Sequence, residues 1–139
     1  ILNSNKVAMS LSDLFCVERH KAQFLELVKN KLDIIFANEQ EILSLIESDS
    51  FDEAVTFLKN LNKNIVITRG EKGAIAINEG EIEECAAEKN LNIADLTGAG
   101  DLFAAGYLHG IINNLTTKES LIKGTELSSK IIQKIGARI

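Results

Sequence analysis

The residues richest in chemistry are Asp95, Thr97 and Asp101, set around the small-residue run Gly98-Ala99-Gly100 and followed by the apolar stretch Leu102-Phe103-Ala104-Ala105-Gly106. With almost no side chain, 98–100 can close their backbone N–H groups on an anion, and the positive end of a following helix adds to that attraction. Asp101 stands in the first turn of that helix, where the dipole stabilises its charge and where a hydroxyl approaching the seated phosphate comes within reach. An anion hole at Gly98, Ala99 and Gly100 with Asp101 as base suits phosphoryl transfer from a nucleotide to an alcohol. A tight structural turn has the same tripeptide, and Asp101 as a plain N-terminal helix carboxylate needs no chemistry. Such a turn, however, uses at most one oxygen-bearing side chain as a cap, and three stand here.

Two further groups carry two readings each. Asn38 and Glu41 fit the N-cap and N3 positions of a capping box. The same pair also suits a site in which Glu41 orders the water shell of Mg2+ and Asn38 reaches nucleotide phosphates, and both readings hold at once. In Val66-Ile67-Thr68-Arg69-Gly70-Glu71-Lys72-Gly73, a hydroxyl and two glycines at a strand end can border the phosphate or ribose of an adenosine nucleotide. A hairpin loop has the same composition. Arg69 is a phosphate clamp on the first reading and a solvated cation on the second. His20 and His109 lack carboxylate or cysteine neighbours at metal-ligand spacing and read as structural. Cys16 and Cys85 read as buried fillers, Phe15 and Phe24 as core. Ser10 and Ser12 have no nucleophile-elbow glycines, so a hydrolase triad has no anchor.

The elements that must position these groups alternate. Apolar runs at 7–10, 33–37 and 64–68 read as strands, with helices expected over 18–30, 39–47 and 51–61. In the first helix Phe24, Leu25 and Val28 share a face, and Ser50-x-x-Glu53 reads as a capping box for the third. Gly70-Glu71-Lys72-Gly73 turns into a strand at 74–77, and Asn78-Glu79-Gly80 turns into another at 81–86, so parallel pairing gives way to two hairpins. Residues 100–113 are apolar nearly all round, with Gly106 and Gly110 on a thin side, as expected of a helix buried against a sheet. Thr116-x-x-Glu119 caps a last helix with Leu121, Ser128, Ile131, Ile132 and Ile135 on one side. A mostly parallel α/β sheet with helices on both faces and a site at the strands' carboxyl ends follows.

The chain has 139 residues, 45% hydrophobic and 25% charged, the size and composition of one globular domain. Fifteen basic and 20 acidic residues give a net charge of -5, which disfavours nucleic acid and anionic membranes as partners. No apolar run approaches the roughly 20 residues that span a bilayer, so a cytoplasmic protein is expected. Val7-Ala8-Met9-Ser10 reads as a core strand with nothing earlier to pair with, which points to a fragment. There is no proline, where about 5% is usual.

The motifs N-x-x-E, V-x-T-x-G-x-x-G and D-x-T-G-A-G-D-x-F-x-x-G, in that order, resemble the second half of the pfkB carbohydrate kinase family. Ser10-Leu11-Ser12-Asp13 with Phe15-Cys16-Val17, and Phe36-Ala37-Asn38-Glu39, are similar to its adenosine-kinase-like branch. The resemblance covers essentially all 139 residues. It implies a ribokinase-like three-layer α/β/α fold with antiparallel hairpins at one sheet edge, of which 1–139 is the carboxyl-terminal nucleotide-binding part, without the amino-terminal half and lid. It also implies that Asp101 is the catalytic base and that Gly98, Ala99 and Gly100 form the anion hole. Nucleotide would be bound by Asn38, by Thr68, Arg69, Gly70, Glu71, Lys72 and Gly73, by Gly100, and by Gly124, placed at the opening of the final helix beside the adenine. Glu41 would hold Mg2+ through water. In relatives activated by a monovalent cation, the first Asp of the motif, here Asp95, joins carbonyls near Gly136-Ala137, which adds K+ to ATP and Mg2+ as an implied cofactor. Leu96 replaces the commoner Thr, at a position whose contribution is packing.

The resulting expectation is an ATP-dependent kinase that phosphorylates a hydroxymethyl group of a sugar or nucleoside, adenosine or a ribose- or fructose-like sugar. The fragment itself is expected to be inactive, because water exclusion and substrate orientation need the other half. A homodimer of the full-length protein is the assembly the resemblance allows. The competing reading is a non-catalytic nucleotide-sensing module that kept the fold, against which an intact Asp101 argues. A plain interaction domain would leave the glycine turn and its oxygen-bearing side chains unexplained.

Overall fold

Five strands and six helices make up the computed structural model, which describes residues 6–11, 14–87 and 99–133, less the side chains of 14, 15 and 132. The order is β1 (Ala8–Ser10), α1 (Leu14–Arg19), α2 (Lys21–Asn30), β2 (Ile34–Asn38), α3 (Glu39–Ile46), α4 (Phe51–Lys59), β3 (Asn64–Thr68), a 3-10 turn (Gly70–Lys72), β4 (Ala74–Asn78), β5 (Glu81–Cys85), α5 (Ala99–Ile112) and α6 (Thr117–Ile132). The strands lie in the order β1-β2-β3-β4-β5. The chain divides into two compact units, Ile1–Thr68 with Ala76–Ile82 and Arg69–Ile75 with Glu83–Ile139, and the division crosses β4 and β5.

In the first unit β1, β2 and β3 pair in parallel, with Ile35 opposite Met9 on one side and Ile65 on the other. Ile34, Ile35, Phe36 and Ala37 are consecutive and all buried, as are Ile65, Val66 and Ile67. Burial that ignores the two-residue alternation means both faces of these strands are covered, the mark of a parallel sheet inside an α/β fold. Asp33, which opens β2, holds the edge strand: its Oδ2 accepts the Val7 N–H at 2.8 Å and its own N–H donates to Val7 O at 2.8 Å.

Two local expectations are corrected here. The helix over 18–30 is two helices that start at Leu14 and break at His20, whose φ of -131° and ψ of 34° leave the helical region. No Gly or Pro marks the break; it lets α1 and α2 each pack on α3, so tertiary contact overrides a continuous local pattern. Val28 is buried, whereas Phe24 and Leu25 are half-buried. The Ser50–Glu53 capping box is half made. Ser50 Oγ accepts the Glu53 N–H at 3.4 Å, but the Ser50 N–H donates to Ser48 Oγ at 3.1 Å and leaves the Glu53 carboxylate to accept from the Ser48 hydroxyl.

The expected hairpin turns form. The two-residue Glu79-Gly80 connection has φ of 51° and 85°, the paired positive values that suit a tight antiparallel turn. In the second unit the Arg69 N–H donates to Gly73 O at 2.8 Å across the 3-10 turn. Gly73 has φ of 93° and ψ of -139°, and a Cβ there would lie 2.1 Å from Cys85 O, so only glycine fits. The rest of this unit is built around α5 and α6, an antiparallel helical pair. The thin side of α5 faces α6: a Cβ at Gly106 would meet Lys123 O at 2.7 Å and Gly124 Cα at 2.8 Å, and one at Gly110 would meet Ser120 Cα at 2.9 Å. Its small residues are therefore explained by close helix–helix approach, not by the sheet expected from the sequence. Tyr107, Leu121 and Ile131 are fully buried. No helix among the described residues is long and apolar enough to cross a membrane.

Candidate functional site

In the first unit, the carboxyl ends of β2 and β3 place Asn38 and Thr68 side by side, as partners in the parallel register. The chain then turns into α3, and Asn38 becomes its N-cap with φ of -92° and ψ of 172°. Asn38 Oδ1 accepts the Glu41 N–H at 2.8 Å, and Glu41 Oε1 accepts the Asn38 N–H at 3.1 Å. The capping-box reading is thus correct. It occupies Oδ1 and leaves the amide N–H groups of this exposed residue, which can only donate, outside the cap at the strand ends. Glu41 is only 4% exposed, so its carboxylate is fixed in place beside Asn38.

In the second unit, Ala99, Gly100 and Asp101 are the first three residues of α5. The first N–H groups of a helix have no partner within it and point out from its end. Among the described residues, a Cβ at Gly100 would find nothing within 4 Å. Asp101 is exposed, and among the described residues it makes no hydrogen bond or ion pair. Its carboxylate stands in the first turn of α5, with no partner among the described residues. In the 3-10 turn Gly70, Glu71 and Lys72 are exposed, Arg69 is half-buried and Gly73 buried.

Gly124 lies inside α6 and does not open it, because the Thr116–Glu119 capping box starts the helix at Thr117. A Cβ there would meet Phe103 O at 2.8 Å and the Phe103 ring at 3.2 Å. The sequence reading missed this partnership. Its signal was the matched spacing of Gly106 with Gly110 on α5 and of Ser120 with Gly124 on α6. Ser12, Asp95, Leu96, Thr97, Gly98, Ile135, Gly136 and Ala137 lie outside the described residues, so of the three residues expected to form an anion hole only Ala99 and Gly100 are described.

Among the described residues no group of three His, Cys, Asp or Glu side chains is placed to hold a metal ion. Magnesium at a nucleotide commonly keeps several waters and takes most other ligands from phosphates. A single fixed carboxylate such as Glu41, ordering one of those waters, fits that habit.

Comparison with known proteins covers almost the whole chain. The profile of the pfkB family of carbohydrate kinases matches residues 2–139. A cytidine kinase of Thermococcus kodakarensis is 30% identical over 97% of this chain and 50% of its own length. A ribokinase of Lactococcus lactis is 30% identical over 77% of this chain and 34% of its own. The chain thus spans about half the length, or less, of these curated relatives. Among solved structures, an adenosine kinase from Sinorhizobium meliloti superposes with a TM-score of 0.92 at 38% identity, over 96% of this chain and 41% of that one. A ribokinase from Thermotoga maritima, at 21% identity and a TM-score of 0.78 over 98% of this chain and 46% of that one, shares the fold. The architecture is the ribokinase-like α/β fold, and the chain belongs to the pfkB family of carbohydrate kinases.

Proposed function

We propose that the protein containing this chain transfers the γ-phosphoryl group of ATP to a hydroxymethyl group of a sugar or nucleoside, adenosine or a ribose- or fructose-like sugar. The observation that carries the reading is Asp101: an exposed carboxylate in the first turn of α5, with no partner among the described residues, directly after Gly100. In this reading Asp101 takes the proton of the acceptor hydroxyl as its oxygen attacks the γ-phosphorus and the bond to the β-phosphate oxygen breaks. The amides of Gly98, Ala99 and Gly100 hold the phosphoryl oxygens through the transition state, where charge is spread over all three. Asn38 donates to the nucleotide phosphates with the amide left out of the cap. Thr68, Arg69, Gly70, Glu71, Lys72 and Gly73 border the nucleotide, and Gly124 lies beside the adenine. Bound magnesium would neutralise polyphosphate charge, with Glu41 ordering its water shell. Asp95 is assigned to a monovalent cation, K+. A cytoplasmic setting belongs to this reading, and so does the exclusion of water by the rest of the protein.

The test is Asp101→Asn in the complete protein, with ATP consumption measured against a panel of sugars and nucleosides. Turnover should fall by roughly 10²- to 10⁴-fold, the usual weight of a positioned base, while ATP still binds. A wild-type protein that binds ATP and consumes none with any acceptor would overturn the kinase in favour of a nucleotide sensor. An unchanged rate in Asp101→Asn would remove Asp101 from the mechanism.

A further inference from the structure

Of the α5–α6 contacts made at glycines among the described residues, the one between Gly124 and Phe103 lies nearest to Asp101 along α5. Phe103 follows Asp101 by two residues, is 5% exposed, and presents to Gly124 both its carbonyl oxygen and one edge of its ring. A Cβ added at Gly124 would lie 2.8 Å from that oxygen and 3.2 Å from Cδ2 and Cε2. The other crossings are further along α5. Gly106 meets Lys123 and Gly124, and Gly110 meets Ser120. At 1.5 Å per residue, Gly110 is about 13 Å along the axis from Asp101, whereas Phe103 is about 3 Å away.

We infer that Gly124 is a positioning residue for the proposed phosphoryl-transfer site: α6 presses, through a bare Cα, on Phe103, and so fixes the first turn of α5 with the amides of Ala99 and Gly100 and the Asp101 carboxylate. This rests on the functional reading above and differs from it in what Gly124 does. A glycine that only borders the adenine governs how tightly ATP binds. A glycine that seats Phe103 governs where the base and the anion hole stand during transfer. Phosphoryl transfer depends almost wholly on positioning and electrostatics, and a misplacement of about 1 Å costs on the order of 10²-fold in rate. The Phe103 carbonyl belongs to the helix backbone and cannot turn aside as a side-chain tip can. A Cβ pressed against it therefore moves α5, α6 or both.

The experiment compares Gly124→Ala with Gly110→Ala in the complete protein. Both add a methyl group at the same helix crossing, and a Cβ at Gly110 would meet Ser120 Cα and Cβ at 2.9 Å, so both should lower the melting temperature. Positioning predicts that kcat falls about 10- to 100-fold in Gly124→Ala with KM for ATP within about twofold, and that Gly110→Ala keeps kcat within about twofold. It also predicts faster amide exchange at 103–105, whose N–H groups bond back to the carbonyls of 99–101, in Gly124→Ala only. A raised KM for ATP with kcat unchanged would overturn the inference and leave Gly124 at the adenine. Equal losses of kcat in the two variants would overturn it as mere destabilisation. Should Gly124→Ala fail to fold, Phe103→Leu, which removes the ring from the contact, must lower kcat without raising KM for ATP, and an unchanged kcat refutes the inference. If the wild-type protein turns over no acceptor, the kinase reading fails, and amide exchange at 103–105 still decides whether Gly124 sets this turn.

Discussion

A pair of substitutions separates the observed job of Asn38, the N-cap of α3, from its proposed one at the nucleotide phosphates. As N-cap it holds α3 through its Oδ1, 2.8 Å from the Glu41 N–H. As a proposed nucleotide-binding residue it stands at the ends of β2 and β3, beside Thr68, with its amide donors left out of the cap. Asn38→Ala removes both. The lost cap costs about 1 kcal/mol, within a range of roughly 0.5–2. That is a fall of about 2–4 °C in melting temperature for a protein of this size class. Asn38→Asp keeps an acceptor oxygen on the Glu41 N–H, and Asp caps as well as Asn, so stability should stay within about 0.5 kcal/mol of wild type. What changes is the group outside the cap, where a donor becomes a second anion. Losing a hydrogen bond to a charged phosphate is worth about 1.5–3 kcal/mol. Repulsion at about 4 Å adds about 1 kcal/mol at this exposed position, where water screens it. The sum, about 2.5–4 kcal/mol, is a loss of ATP affinity of roughly 70- to 900-fold. Denaturant unfolding with titration calorimetry on the three proteins reads both quantities. If Asn38→Asp binds ATP like wild type, the residue is a cap and nothing more. If it is destabilised as much as Asn38→Ala, the amide orientation argued here is wrong.

Two other positions give independent checks. Gly73→Ala forces a Cβ to within 2.1 Å of Cys85 O and 2.9 Å of Ala87 N at a φ of 93°, so it should destabilise by at least about 2–3 kcal/mol; unfolding within about 0.5 kcal/mol of wild type would refute the turn geometry. The Glu119 carboxylate is held below its ordinary value by the hydrogen bond it accepts from the Thr116 N–H, and then by the Thr116 side chain. Because the folded value is the lower one, this contribution is complete above the unfolded value near 4.5 and fades as pH falls through the folded value. The stability gap between wild type and Glu119→Gln should therefore be constant near neutral pH and close in acid, and a gap that widens on acidification would reverse the sign argued here.

How much of this was legible before any coordinates depends on the range of the interaction. The capping boxes at Asn38 and Thr116 were readable because every atom that makes them lies within four residues. The parallel core was readable because strands buried on both faces need unbroken apolar runs, and 34–37 and 65–67 have them. The same local logic failed at Ser50, where Ser48 takes the N–H that Glu53 was expected to reach. It failed again at His20, where packing of two short helices on α3 outweighs a pattern that continues through the break.

The site divides along the same line. Asp101 could be singled out as the proposed base because its residue type, its glycine-rich approach and its place at a helix start, which α5 bears out, all lie within a few residues. The role of Gly124 was hidden, since its meaning depends on Phe103, on another helix and 21 positions away in the chain. Read alone, a glycine in a predicted helix is a flaw costing up to about 1 kcal/mol against alanine. Paired with Ser120 four residues before it, and set against Gly106 and Gly110 four residues apart, it marks two helices whose backbones touch. That pairing could have been read from the sequence, because close helix approach leaves small residues at i and i+4 on both partners. The sequence left out which residue fills the space such approach creates, and here it is the Phe103 carbonyl, next but one to the proposed base.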